Sequence, residues 1–137
     1  MFVQSTIKNT RSLSMQNKAA GTATTSGYLY DLTGGLLVAA TSASTRDTIE
    51  GVANQTITAA EALTQCPVID LSRDDIWLVG STNASNILHN GQAMIMGANA
   101  YTVNNTGTTS AVGVVEQVGT FGATTDNLIL VRFITVA

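Results

Sequence analysis

From Tyr28 onward, short apolar runs alternate with turn residues along the chain. Tyr28 to Leu32 leads into Gly34-Gly35, then Leu36 to Ala40, then a Thr/Ser loop reaching Thr45. Ile49-Glu50-Gly51-Val52-Ala53 follows, closed by Asn54-Gln55. Cys66 to Leu71 and Ile76 to Val79 flank the polar turn Ser72-Arg73-Asp74-Asp75. Gln92 to Met96 and Tyr101 to Val103 are separated by Gly97-Ala98-Asn99, and Val112 to Val118 and Leu128 to Val136 finish the chain. Runs of this length, rich in β-branched and aromatic residues and spaced by Gly, Asn and Asp, predict strands of an all-β sandwich or small barrel. Thr is the commonest residue, and its branched Cβ suits a half-buried pleated surface.

One segment carries a helical signature. Thr58-Ala59-Ala60-Glu61 matches a capping box, and Ala62-Leu63-Thr64 can continue it until Pro67 disfavours a helical Cys66. The pattern allows one short helix or a single turn between strands. No internal repeat stands out.

The N-terminal stretch differs in character. Lys8, Arg11 and Lys18 all precede the first acidic residue, Asp31. Apolar residues are sparse there, and Ala19 to Gly27 is a Thr-rich, small-residue stretch of linker type. Residues 1–27 are therefore expected to form an extended arm, ordered by contact with a neighbour, ahead of a β domain over 28–137. The alternative is that Phe2 to Ile7 pairs within the chain's own sheets. The arm supplies Phe2, Val3, Ile7, Lys8, Arg11 and Lys18 as candidate contacts with a partner surface or a second subunit. Trp77, the sole Trp, joins them as a side chain suited to core or interface.

Composition sharpens the picture. The 137 residues are enough for one domain with its own core. Hydrophobic residues make up 45%, but only 11% are charged, against about 25% in ordinary globular proteins. Ser, Thr, Asn, Gly and Ala stand where charge would, giving a neutral, hydrogen-bonding surface suited to packing against other subunits. A net charge of −3 disfavours nucleic-acid binding, which needs a basic field. No run approaches the ~20 apolar residues of a membrane span, and the start lacks the apolar stretch of a signal peptide. A lone Cys66 excludes an internal disulfide and fits synthesis in a reducing cytoplasm.

Candidate chemistry is thin. The single His89 sits in Ile87-Leu88-His89-Asn90-Gly91, a run entering a turn, and no Gly-x-Ser-x-Gly elbow accompanies it. One His and one Cys cannot make a structural zinc site. Asp70, Asp74 and Asp75 cluster without calcium-loop spacing. Gly119-x-x-Gly122 lacks the Lys-Ser/Thr of a phosphate loop. Neither a catalytic set, a metal nor a cofactor is expected.

The order of segments resembles the small decoration, or cement, proteins of the single-barrel type that coat tailed-phage capsids. The resemblance spans Leu29 to Phe133. It is carried by Ile49-Glu50-Gly51-Val52-Ala53, by Pro67-Val68-Ile69 with Asp74-Asp75-Ile76-Trp77, and by His89-Asn90-Gly91-Gln92. Tyr101-Thr102-Val103-Asn104-Asn105, Ala111-Val112-Gly113-Val114-Val115-Glu116 and the stretch from Asp126 to Phe133 complete it. It implies a structural virion protein on the outer capsid surface, bound to the major capsid protein and to itself as a homotrimer, bracing joints between capsomers. A different class, a receptor- or glycan-binding module using Asn83 to Asn86 or Thr106 to Ser110, stands as the alternative.

Overall fold

The computed structural model describes residues 3–4, 15–58, 64–71, 76–81, 93–97, 99–104, 112–118 and 128–133. These residues are all-β, in eleven strands. They are β1 (Val3–Gln4), β2 (Met15–Ala20), β3 (Leu29–Thr33), β4 (Leu36–Ala39), β5 (Ile49–Ala53) and β6 (Gln65–Asp70), then β7 (Ile76–Ser81), β8 (Ala93–Met96), β9 (Thr102–Asn104), β10 (Gly113–Val118) and β11 (Leu128–Arg132). Each apolar run from Tyr28 onward becomes one strand. Of the candidate helix over Thr58 to Thr64, residues 59–63 lie outside the described residues, and among the described residues there is no helix.

Strands β2, β4, β3, β5 and β6 close into a barrel. Its tightest corner is the β3–β4 hairpin, where Thr33 pairs Leu36 across Gly34-Gly35. Both glycines have positive φ, 59° and 82°, as a two-residue turn between twisted strands demands. Alternate positions line the interior: Ala20, Tyr30, Leu37, Ala53, Cys66 and Val68 are all buried together with Ile57. Each large member contributes on the order of 1.5–3 kcal/mol by leaving water.

The second sheet runs β1-β7-β11-β10-β8-β9, and β7 also pairs β9. Five of its strands thus return on themselves as those of the barrel do. The correspondence extends to each pairing. In the barrel, β2 is parallel to β4 and antiparallel to β6, while β3 is antiparallel to β4 and β5, and β5 to β6. In the second sheet β7, β8, β9, β10 and β11 repeat those relations in the same order.

The registers agree as well. Aligning Ala19 with Gly80 through their parallel partners Leu36 and Thr102 also aligns their antiparallel partners, Gln65 and Leu128. Tyr30 opposite Gly51 matches Met94 opposite Gly113. The two glycines share a physical cause: a Cβ on Gly51 would run into the carbonyl oxygen of Ile69, and one on Gly113 into that of Arg132. The chain is a tandem pair of one five-stranded unit, a repeat that the sequence pattern did not reveal.

The expected boundary at Gly27/Tyr28 does not survive. Residues 15–27, read as arm and linker, are built into the first unit. Met15–Ala20 pairs with β6 over five positions and with β4 over two. Ala20 and Thr24 are buried, and Thr24 exchanges backbone hydrogen bonds with Ile57 at 3.0 Å. Cross-strand pairing outweighs the weak strand propensity of Gln16-Asn17-Lys18-Ala19-Ala20.

The units share a core. One buried cluster unites Leu29, Val52 and Ile69 with Met94, Val131 and Phe133. The Leu29 N–H donates to the Ala100 carbonyl at 2.8 Å, and the Tyr28 and Tyr101 rings pack with centroids 4.7 Å apart.

Candidate interaction site

The residues singled out from the sequence separate into three groups. Val3 and Trp77 come together: β1 lies antiparallel on β7, with Gln4 opposite Trp77 and Val3 opposite Leu78. Trp77 is also opposite Val131 on β11, so its backbone lies between two strands. Lys18 lies elsewhere, on β2 of the barrel, with its Nζ 3.3 Å from Glu50 Oε1. Its charge is matched within the chain, which corrects its assignment to a free basic arm. Phe2, Ile7, Lys8 and Arg11 lie outside the described residues.

The β1–β7 contact is an added strand. β7 is paired along one edge with β11 from Ile76 to Gly80. On its other edge, β9 takes Gly80 and Ser81, while β1 takes Trp77 and Leu78. The N-terminal strand fills the part of an edge that the unit's own strands leave open. Backbone hydrogen bonds supply the attraction in such an addition, and side chains set its register. The equivalent edge of β2 carries Gln16 and Asn17, both exposed, with no strand on it among the described residues.

Polar groups elsewhere hold loops. Ser44, 3% exposed, donates from Oγ to Asp31 Oδ2 at 2.5 Å and accepts the Thr41 N–H at 2.9 Å. Thr48 Oγ1 accepts the Thr45 N–H at 2.9 Å and lies 3.4 Å from Asp31 Oδ1. Together they fasten the 41–48 loop to β3. Arg46 donates to the Leu71 carbonyl, reaching the start of the link to the second unit. Tyr30 is buried with its hydroxyl accepting the Thr25 N–H at 2.8 Å; burial raises its pKa, and that hydrogen bond partly opposes the rise. Cys66 is buried, its Sγ 3.6 Å from Thr24 Oγ1.

Among the described residues no three of His, Cys, Asp and Glu gather as a metal site would require. His89, Asp74 and Asp75 lie outside those residues. The described surface includes strand edge at Gln16 and Asn17, both exposed, and the polar 41–48 loop. The sequence signal for the β1 slot was the short β-prone Phe2 to Ile7 run. No signal marked the β2 edge, since its significance lies in a register visible only after folding.

No family model matches the chain, and neither the curated proteins nor the solved structures searched contain a significant match.

Proposed function

We propose that the chain is a structural virion protein that binds the outside of an assembled phage capsid and stabilises the joints between capsomers. In this reading the partners are the major capsid protein and further copies of the chain, assembled as a homotrimer. The observation that carries it is β1, a two-residue N-terminal strand added to a sheet edge of the chain's own second unit. The interaction it exemplifies, an extended segment docking on an open edge, is the means by which a small domain can grip a neighbour's sheet.

The surface chemistry supports the same reading. With 11% charged residues, copies can pack side by side without much mutual repulsion. Many modest contacts over a broad footprint give firm attachment without a deep pocket. No catalysis, cofactor, nucleic acid or membrane enters the role.

The test is co-sedimentation of the purified chain with undecorated heads of the phage whose genome encodes it. Binding to expanded heads is the expected result, and failure to bind them overturns the proposal. Removing residues 1–14 removes β1 and leaves β2, so the barrel should remain folded by circular dichroism while affinity for heads falls. Truncation through Lys18 would instead cut into β2 and open the barrel. Unchanged affinity of the folded 1–14 deletion would rule out a role for the N-terminal segment.

A further inference from the structure

At one matching place the two units differ: an edge covered in one is, among the described residues, open in the other. Gln16 and Asn17 of β2 are the register equivalents of Trp77 and Leu78 of β7. In the second unit that edge is covered by β1; in the first, no strand covers it among the described residues. We propose that the edge of β2 at Met15–Asn17 is a strand-docking surface whose occupant is the same edge of a second copy, the two β2 strands pairing antiparallel about a two-fold axis.

The direction of the backbone groups favours this. The Ala20 N–H donates to Thr64, on the β6 side, whereas the Gly21 N–H donates to Leu37 of β4, on the opposite side. Neighbouring strand residues thus aim their N–H and C=O at alternate edges, which places Asn17 with Gly21. An independent bond agrees. The carbonyl of Pro67, the residue opposite Asn17, accepts from Asn54 at 2.9 Å and so faces β5 rather than β2. Asn17 and Pro67 form a non-hydrogen-bonded pair, and Asn17 turns both backbone groups outward. Met15, two residues earlier, does the same. A strand edge carrying such groups is a template for pairing.

A second copy is the occupant that balances the count. Each chain has one β1, already engaged on β7, so moving it to a neighbour's β2 would uncover the edge it left. Pairing β2 with β2 fills both edges at once, in the closed, self-complementary manner of a two-fold interface. The alternation fixes the register. Both outward residues find outward partners short of the stretch that β4 occupies when Asn17 lies opposite Met15 of the second copy, and Met15 opposite its Asn17, with Gln16 facing Gln16 on the axis. All the outward N–H and C=O groups of the two residues are then satisfied. No like charges oppose each other, and Lys18 next to the contact is already held by Glu50. The contact ends where β4 takes over the edge at Ala19. It is a two-fold contact, separate from the contacts that would build a trimer, and it stands independently of the capsid reading, since it concerns the chain alone.

The experiment uses the full chain with Gln16→Cys, which brings two thiols together on the axis. Directly opposed residues of a non-hydrogen-bonded antiparallel pair lie about 4.5 Å apart at Cα, within disulfide reach. Under mild oxidation it should form a covalent dimer at least about tenfold faster than Ala39→Cys, an exposed control on β4. Asn17→Pro removes an outward donor that β6 does not use, and proline is tolerated on such an edge. In sedimentation velocity it should remain folded and weaken self-association by about tenfold or more. Gln16→Lys, which sets two cations on the axis, should weaken it at low salt and recover at high salt. Equal cross-linking of the Gln16→Cys and Ala39→Cys chains, or self-association unaffected by Gln16→Lys, overturns the proposal.

Discussion

Replacing Gly51 or Gly113 by alanine tests whether both units close in the same way. Neither glycine has a positive φ, so backbone strain is not the issue. The obstacle is proximity. An added Cβ at position 51 would collide with the Ile69 carbonyl oxygen and stand 2.6 Å from Val68 Cγ1 and 3.1 Å from the Ile69 carbonyl carbon. At position 113 it would collide with the Arg132 carbonyl oxygen, 2.9 Å from that residue's carbonyl carbon and 3.0 Å from Phe133 Cα. Comfortable carbon contacts begin near ~3.5 Å, and the obstructing atoms are mostly backbone, which cannot rotate aside. Each substitution must therefore push β5 from β6, or β10 from β11. Overpacking of this kind costs about 1–3 kcal/mol, and the backbone obstruction puts these sites at the upper end. Reduced entropy of the unfolded chain returns about 0.4–1 kcal/mol, leaving a net loss near 2 kcal/mol. For a chain of this size, that lowers Tm by roughly 6–10 °C. Thermal and urea unfolding followed by circular dichroism measure it. A Tm change below about 2 °C for either variant would mean that the corresponding strands do not approach as described.

Further outcomes follow from the polar contacts. Ser44→Ala removes a buried hydroxyl that links Asp31 to the Thr41 N–H, and should cost about 1–2 kcal/mol in urea unfolding; no loss would show that the 41–48 loop is not fastened there. Burial holds the Tyr30 hydroxyl above its ordinary value of 10.0. The unfolded chain therefore releases that proton first, and the stability it contributes, complete below pH ~10, is lost as pH rises through the folded-state pKa. Tyr30→Phe should be less stable than the parent at neutral pH, by about 1 kcal/mol for the lost Thr25 hydrogen bond, yet lose less stability above pH ~10. Parallel pH–stability curves for the two proteins would contradict that.

The strands were the most legible feature. Ile49–Ala53 coincides with its apolar run, and most others differ by a residue or two at either end, while the last run, Leu128 to Val136, continues past the end of β11 at Arg132 into residues outside the described ones. Alternation of buried and exposed positions leaves a direct mark on composition. Met15–Ala20 left none. Three consecutive polar residues and two alanines carry little strand signal, and the segment is a strand because β6 and β4 supply ladders on either side. The repeat was hidden for a related reason. Across the paired positions its identities are confined to Gly51/Gly113, Val52/Val114 and Val68/Val131, so backbone pairing recurs while side chains have diverged. Of the candidate contacts, Val3 lies on β1 and Trp77 on β7, adjacent strands of one sheet, whereas Lys18 lies on β2, beside a Glu50 that is distant in sequence. The Asp31–Ser44 link could not be singled out in a chain so rich in Ser and Thr.

The most direct test of the decoration role is thermal disruption of DNA-filled, undecorated heads titrated with the chain. A saturable rise in disruption temperature, absent on unexpanded precursors and reduced with the 1–14 deletion, is the result expected of a protein that braces capsomer joints. A disruption temperature that stays flat at saturating protein would contradict it.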